Sequence, residues 1–290
     1  MIQQFLRTIT PPIKIHVWGG FGSQLFALTL AWRLSRRISY RKLKLVFHSS
    51  GVTQRLVEVP TLWLKGLDFV QELDFIDDTS TRKTLPTCVA RQKFNHYVVS
   101  KFIQFGFLAR ANTDHDLKSI KPWVIEIRGH YSYFRINDSE LNKMMILMGM
   151  VKPREGKMDC AIHYRLGDLL HLTTKSFIKP QRIKIVLEEH FQNCTSADVF
   201  SDASGQKIKN LLLPSISHIN LTFFNVSPIE TIRSCVQSEG FIGTNSKLTL
   251  WIAMFRTYIN SNTTAIPYEL VHHFDKGFGF PPKAAKLVVY

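Results

Sequence analysis

Cysteine is scarce in this chain: four among 290 residues, at Cys88, Cys160, Cys194 and Cys235, with no C-x-x-C pair. That spacing argues against a zinc cluster and against a disulfide framework, and makes a reducing cytosol the expected compartment. No apolar run reaches the ~18 residues that a membrane span needs. The opening segment, MIQQFLRTITPPIKI, is too short and too interrupted to read as a signal peptide. Several N-x-[ST] sequons occur, such as those at Asn193, Asn220 and Asn262, and without a secretory signal they read as chance. H-E-x-x-H, G-x-S-x-G and Walker sequences are also missing, which removes the corresponding zinc, serine-nucleophile and P-loop readings.

Acidic residues are the other shortage. Against 37 Lys and Arg stand 22 Asp and Glu, a net charge of +15. Such a surface attracts anions: phosphorylated ligands, anionic headgroups or nucleic acid. Part of the charge clusters in RLSRRISYRKLK, Arg33 to Lys44. A solvated helix end beside a strand is the plainest reading and a membrane surface the next. Nucleic acid comes third, because no helix-turn-helix, RNA-binding or zinc-finger pattern accompanies the charge.

What is present is an ordinary globular composition, 45% hydrophobic and 20% charged, of a length that fits two domains better than one. IKIHVW (13–18) reads as a buried strand. The helix after it, with Leu25, Leu28 and Trp32 on one face, ends near Arg37, and KLKLVFH follows as a second strand. Thr53 to Ser119 parses poorly, with room for several short helices. WVIEIRG (123–129) is a strand, and DSELNKMMILMGM a helix capped by Asp138 or Ser139. The polar KPREGKMD separates a domain at 1–154 from one at 155–290. The second half alternates more clearly: strands CAIHYR, ADVFSD, INLTFFN and GFIGT, with helices PQRIKIVLEEHF, GQKIKNLLL, SPIETIRSCV and SKLTLWIAMFRTYI. Ser227 caps the third of these helices, with Pro228 at its first position. Such alternation predicts α/β domains of the doubly wound, Rossmann type, with parallel sheets. Ligands of these sheets sit at the carboxyl ends of strands, and two such units in tandem would enclose a cleft.

Four segments carry candidate chemistry. HYRLGD (163–168) leaves a strand end; Arg165 there can hold a phosphate bidentately, and Asp168 can steady Arg165 or meet a sugar hydroxyl. FSDAS (200–204) reads either as a helix cap at Asp202 or as an anion site faced by Ser201 and Ser204. GTNSKLTLW (243–251) opens a helix with hydroxyl, amide and N–H donors at Thr244, Asn245 and Ser246. HVWGGFGSQ (16–24) packs Gly19, Gly20 and Gly22 into one turn before Gln24. It lacks the last glycine and the downstream acidic residue of a dinucleotide fingerprint, while Gln24 can meet a hydroxyl-rich ligand. The sequence DFIDD (74–78) does not have the D-x-D spacing of a metal–diphosphate site, so a metal-free phosphate site is implied.

In this order, the segments resemble glycosyltransferase family 11, the α-1,2-fucosyltransferases. That family's GGLGNQ is similar to GGFGSQ, its HxRRGD to HYRLGD, its FSDD to FSDA and its NSTFSWWAA to NSKLTLWIA, with a YF-ending segment matched by GHYSYF (129–134). The resemblance implies a GT-B-like fold and inverting, metal-independent transfer of fucose or a related deoxyhexose from a GDP-sugar. The acceptor would be a galactose-type hydroxyl in a surface polysaccharide. It further implies that Arg165 holds the diphosphate, with His163 and Asp168 beside it, and that Ser201, Asp202, Thr244, Asn245, Ser246 and Lys247 line the donor site. Gly20, Gly22, Ser23, Gln24 and Tyr131 would fall on the acceptor side. Glu126, Asp168 and His130 are candidate bases. Three positions depart from the pattern: Leu166 for its second arginine, Ser23 for its asparagine and Ala203 for its second aspartate. A catalytically inactive nucleotide-sugar-binding relative is therefore the alternative, and a basic nucleic-acid-binding protein a more distant one. A bacterial transferase acting on lipid-linked saccharide at the inner membrane face would account for the basic cluster.

Overall fold

The structure, a computed structural model, describes residues 10–17, 19–48, 67–76, 101–111, 113–129, 134–150, 159–167, 177–259, 263–275 and 287–290. The chain divides into two compact units, Met1–Leu147 and Met148–Tyr290. The expected boundary at 154/155 falls within 151–158, outside the described residues.

In the first unit, β1 (Ile13–Val17), β2 (Leu43–His48), β3 (Glu72–Ile76), β4 (Leu108–Arg110) and β5 (Glu126–Arg128) form a parallel sheet in the order β3-β2-β1-β5-β4. Its helices are α1 (Phe21–Arg37), α2 (Asp114–Ser119) and α3 (Asp138–Leu147). Parallel strands covered on both faces read as continuous hydrophobic runs. These strands instead alternate. Ile13, Ile15, Leu43, Leu45 and Ile127 are fully buried on one face, while Lys14, His16, Lys44, Asp74, Glu126 and Arg128 share the other by register. Thus β1 is not the uniformly buried strand its sequence suggests: Lys14 is exposed. Strands β3 and β4 lie in the 53–119 stretch that parses poorly in the sequence.

In the second unit, β6 (Cys160–His163), β7 (Ser196–Phe200), β8 (Asn220–Phe224), β9 (Gly240–Gly243), β10 (Thr264–Ile266) and β11 (Leu287–Val289) are parallel in the order β11-β10-β9-β6-β7-β8. Its helices are α4 (Pro180–His190), α5 (Gly205–Leu212), α6 (Pro228–Gln237), α7 (Lys247–Tyr258) and α8 (Tyr268–Asp275). The central β6 and β9 are buried along their whole length, as strands covered on both faces should be. A core of Ile162, Tyr164, Leu166, Ile183, Leu187, Val199, Ile208 and Ile242 fills one side. Each such aliphatic side chain contributes about 1.5–3 kcal/mol on burial. Buried Arg256 ties the end of α6 and the segment before β9 to the start of β10. It donates to the carbonyls of Cys235, Val236, Ser238, Glu239 and Thr263 and to Thr264 Oγ1. Burial pulls its guanidinium down to about 10, against the opposing pull of the Cys235 and Cys160 thiols.

Helix ends follow their local chemistry. Ser227 and Glu230 form a reciprocal capping box at α6, with Pro228 at its first turn. Ser246 Oγ caps α7 by accepting from Leu248 N and Thr249 N. The cap of α3 falls one residue before the expected Asp138: Asn137 Oδ1 accepts from Glu140 N, and Glu140 Oε2 from Asn137 N.

Part of the basic cluster at 33–44 is tied down within the first unit, while Arg36 and Arg37 are exposed. Arg33 grips the buried carboxylate of Glu140 at 2.6 and 2.8 Å, and Arg37 donates to the carbonyls of Leu117 and Ile120. Arg41, 5% exposed, donates to those of Pro11, Pro122 and Val124, and Lys44 pairs with Asp74. Arg36 lies over Trp32. Arg33, Arg41 and Lys44 thereby bind the first unit together.

Candidate functional site

Strand order defines where each sheet opens. In the second unit the order reverses between β6 and β9, the position at which open parallel sheets leave a crevice beyond their carboxyl ends. His163 is registered with Gly243 there, so the segments that begin at Tyr164 and at Thr244, 80 residues apart (244 − 164), emerge side by side. Gly243 allows the approach. A Cβ on it would lie 2.1 Å from Thr249 Cγ2, so only glycine lets the start of α7 close on β9.

The loop after β6 is fixed from three directions. Thr244 Oγ1 donates to His163 O at 2.9 Å and accepts from Arg165 N at 2.8 Å. Asp202 Oδ1 accepts from Leu166 N at 3.0 Å and Gly167 N at 2.9 Å. Ser201 Oγ donates to Tyr164 O at 2.6 Å. The His163 ring is 5% exposed, with Nδ1 hydrogen-bonded to Thr249 Oγ1 at 2.8 Å. Tyr164 is buried and donates to Ile178 O, and burial pushes its phenol well above the usual range. Arg165, Ser201, Asn245 and Lys247 are each half-buried at this edge, and Asp202 is exposed.

Several expectations change accordingly. Asp202 is not a helix cap: α5 begins after Ser204, with no side-chain cap. Asp202, Ser201, Thr244 and Ser246 all face the predicted edge, but the hydrogen bonds just given tie them to the backbone of the site. They hold it in shape. Leu166 and Ala203, two of the three departures, are buried in the core. Asp168, His130 and Tyr131 lie outside the described residues.

In the first unit the reversal falls between β1 and β5, and β1 runs into the glycine turn. Gly19 has φ +81, a left-handed conformation that glycine adopts without cost. Gly20 is the residue before α1, and Gly22 is buried inside that helix. Gln24, 2% exposed, donates to Gly19 O at 3.1 Å. The amide expected to meet a ligand thus closes its own turn, while Gly20 and Ser23 remain half-buried at the helix start.

A cluster that the sequence reading did not assemble lies on the polar face of this sheet. His16 Nδ1 and His48 Nε2 are 2.7 Å apart, both rings buried and stacked. His16 Nε2 pairs with Glu126 Oε1, the oxygen that also accepts from Arg128. Burial alone would raise the Glu126 carboxyl. The hydrogen bond from His16 and the charge of Arg128 outweigh it and bring the group down to about 2. Glu126, one of three candidate bases, is thereby held as a carboxylate. The polar alternation of IKIHV, LKLVFH and EIR was the available signal.

A cavity of about 380 Å³ adjoins β7, β8 and α6, with Phe200, Phe224, Val226, Glu230 and Arg233 on its walls. Phe200 and Phe224 are stacked at 5.4 Å. Among the described residues no group of His, Cys, Asp and Glu is arranged to hold a metal ion, and no helix is long and apolar enough to cross a membrane.

No protein-family model matches the sequence, and no curated protein sequence does. Among solved structures, the chain is similar to the E. coli ADP-heptose lipopolysaccharide heptosyltransferase II, with 9% identity, a TM-score of 0.48 and coverage of 96% of this chain and 90% of that one. A glycosyl transferase family 9 protein from Veillonella parvula gives 10% identity, a TM-score of 0.45 and coverage of 97% and 85%. POFUT1 in an apo form gives 12%, 0.40, and 88% and 98%. At these scores the likeness is one of outline, and neither activity nor substrate passes from those proteins to this chain.

Proposed function

We propose that this protein is an inverting glycosyltransferase of the GT-B type that binds a sugar nucleotide at the β6/β9 edge of its second unit. The observation that carries the reading is the fixed loop holding Arg165. Three side chains from two other segments, Ser201, Asp202 and Thr244, tie down residues 164–167, leaving Arg165 half-buried at the ligand edge. A diphosphate leaving group gains charge as its bond to the sugar breaks. A guanidinium preorganised against that position stabilises the developing charge without reorganising. The N-terminus of α7, beginning beside Asn245 and Lys247, adds its dipole.

The resemblance to α-1,2-fucosyltransferases favours a GDP-linked deoxyhexose as donor and a sugar hydroxyl as acceptor. The glycine turn of the first unit belongs to the acceptor side, and Glu126, brought down to about 2 by His16 and Arg128, is too weak a base to take the acceptor proton. Metal is not required in this reading, so transfer persists in excess chelator. A second reading, a nucleotide-sugar-binding protein without transferase activity, draws on Leu166 and Ala203, which occupy the core where the family carries polar residues.

Arg165 tests the proposal. Losing one preorganised donor costs about 3–4 kcal/mol, or roughly 10²–10³ in rate, and buried Leu166 offers no substitute. Arg165→Ala should lose at least the upper end of that range with its melting temperature retained. Arg165→Lys should recover little, because an ammonium lacks the two-pronged geometry. A folded Ala variant within about fivefold of wild type removes Arg165 from the site. Donor binding with no turnover in wild type selects the inactive reading.

A further inference from the structure

Among the described residues, strand β8 is an edge, paired with β7 and ending the sheet. Exposed edges invite pairing with another chain, and proteins blunt them with lysine, proline, bulges or covering segments. The sequence of β8, NLTFF, has no lysine and no proline. Its exposed side includes Phe224 and, just beyond, Val226. What it has instead is a sequon at each end: Asn220-Leu-Thr222 on its first residue and Asn225-Val-Ser227 directly after its last.

These belong to a larger set. Asn137, Asn193, Asn220, Asn225 and Asn262 each precede Ser or Thr by two positions, with no proline between. Eleven asparagines, each with a 41-in-290 chance of Ser or Thr two places on, would give about one or two such sites. The chain has five. Asn137, Asn193, Asn220 and Asn225 are all exposed, and Asn262 lies outside the described residues. Asn137 caps α3 through Oδ1, the oxygen, which leaves the amide nitrogen, the atom a glycan joins, unused by that cap.

We propose that Asn220 and Asn225 are N-glycan acceptors whose sugars cover the open edge of β8, with Asn137 and Asn193 as further acceptors. The bond formed joins the asparagine Nδ2 to the anomeric carbon of an oligosaccharide released from its lipid diphosphate carrier. The nitrogen gives up one proton, and the lipid diphosphate departs. Glycans are bulky and hydrophilic. Two of them bracketing a five-residue strand leave no room for a second strand to align, and so do the work of the missing lysine or proline. The modification puts these faces in a secretory lumen or outside the cell. That replaces the chance reading of the sequons and the expectation of a reducing cytosol. The inference is independent of the transferase reading.

The first test uses the endogenous protein. Peptide N-glycosidase should increase its electrophoretic mobility and leave aspartate at Asn220 and Asn225, identified by mass. An endogenous chain that carries sugar at neither position overturns the proposal. The second test concerns the edge. Folded, glycosylated protein trimmed by the same enzyme under native conditions should self-associate with rising concentration in the ultracentrifuge while its melting curve stays cooperative. Asn220→Gln with Asn225→Gln, which removes both acceptors and leaves the Ser227 cap of α6 in place, should do the same. Trimmed protein and the double variant both remaining monomeric would overturn the covering role.

Discussion

Thr244 offers the sharpest check on how the β6/β9 site is built. It is 1% exposed, and its hydroxyl both donates to His163 O and accepts from Arg165 N. Thr244→Val keeps the shape and removes the oxygen. The His163 carbonyl retains a second donor, the Thr244 backbone N–H at 3.1 Å, so the loss centres on the Arg165 N–H. Leaving such a group without its acceptor costs about 1–3 kcal/mol. Taking about 2 kcal/mol, the melting temperature should fall by about 4–8 °C. If the loop must be re-formed on binding, the same free energy weakens guanosine diphosphate binding by up to about 30-fold. The assays are a thermal melt and calorimetric titration of wild type, Thr244→Val and Thr244→Ser. The serine variant keeps the oxygen and should recover most of both quantities. A valine variant that melts and binds within error of wild type would refute the anchoring argument. A serine variant as damaged as the valine would refute the hydroxyl as its cause.

Arg256→Met should destabilise the second unit by about 3–5 kcal/mol, the usual cost of breaking a buried charged network, because several carbonyls lose their donor together; a loss below about 1 kcal/mol in urea denaturation would contradict that role. Gly19→Ala should cost about 1–2 kcal/mol, since a left-handed residue acquires a Cβ that would sit 3.3 Å from Ser23 Oγ, whereas Gly20→Ala, at φ −66, should melt near wild type; equal melting of both variants refutes the distinction. Glu126 has a folded value of about 2 against an ordinary 4.5. Its contribution to stability is therefore complete above pH 4.5 and lost as pH falls toward 2. The stability difference between wild type and Glu126→Gln should shrink across that window, and a difference that stays constant or grows would count against the His16–Glu126–Arg128 arrangement.

Local chemistry made much of the second unit legible. A cap needs only neighbours, so Ser227-Pro228-Ile-Glu230 and Ser246 mark helix starts in the sequence and do so in the structure. Continuous apolar runs marked β6 and β9 for the same reason. Strands β3 and β4 were not legible because short, half-polar segments such as ELDFI gain their strand form from the neighbours they pair with, not from their own composition. The site shows the same division. The motifs HYRLGD, FSD and GTNS were visible as polar residues at strand ends, but what each hydroxyl and carboxylate does depends on groups far away in sequence. Asp202 could be read as a cap or as a ligand contact, until β7 set it beside the N–H groups of Leu166 and Gly167. Arg33 and Arg41 read as part of a basic surface because sequence counts charges without their partners; packing gave them Glu140 and a row of carbonyls. The sequence by itself determined which segments become helices and strands wherever capping and hydrophobic period suffice. Tertiary structure alone decided which polar groups are spent on the backbone and which stay at the ligand edge, because a hydrogen bond is settled by the one partner that folding brings within about 3 Å.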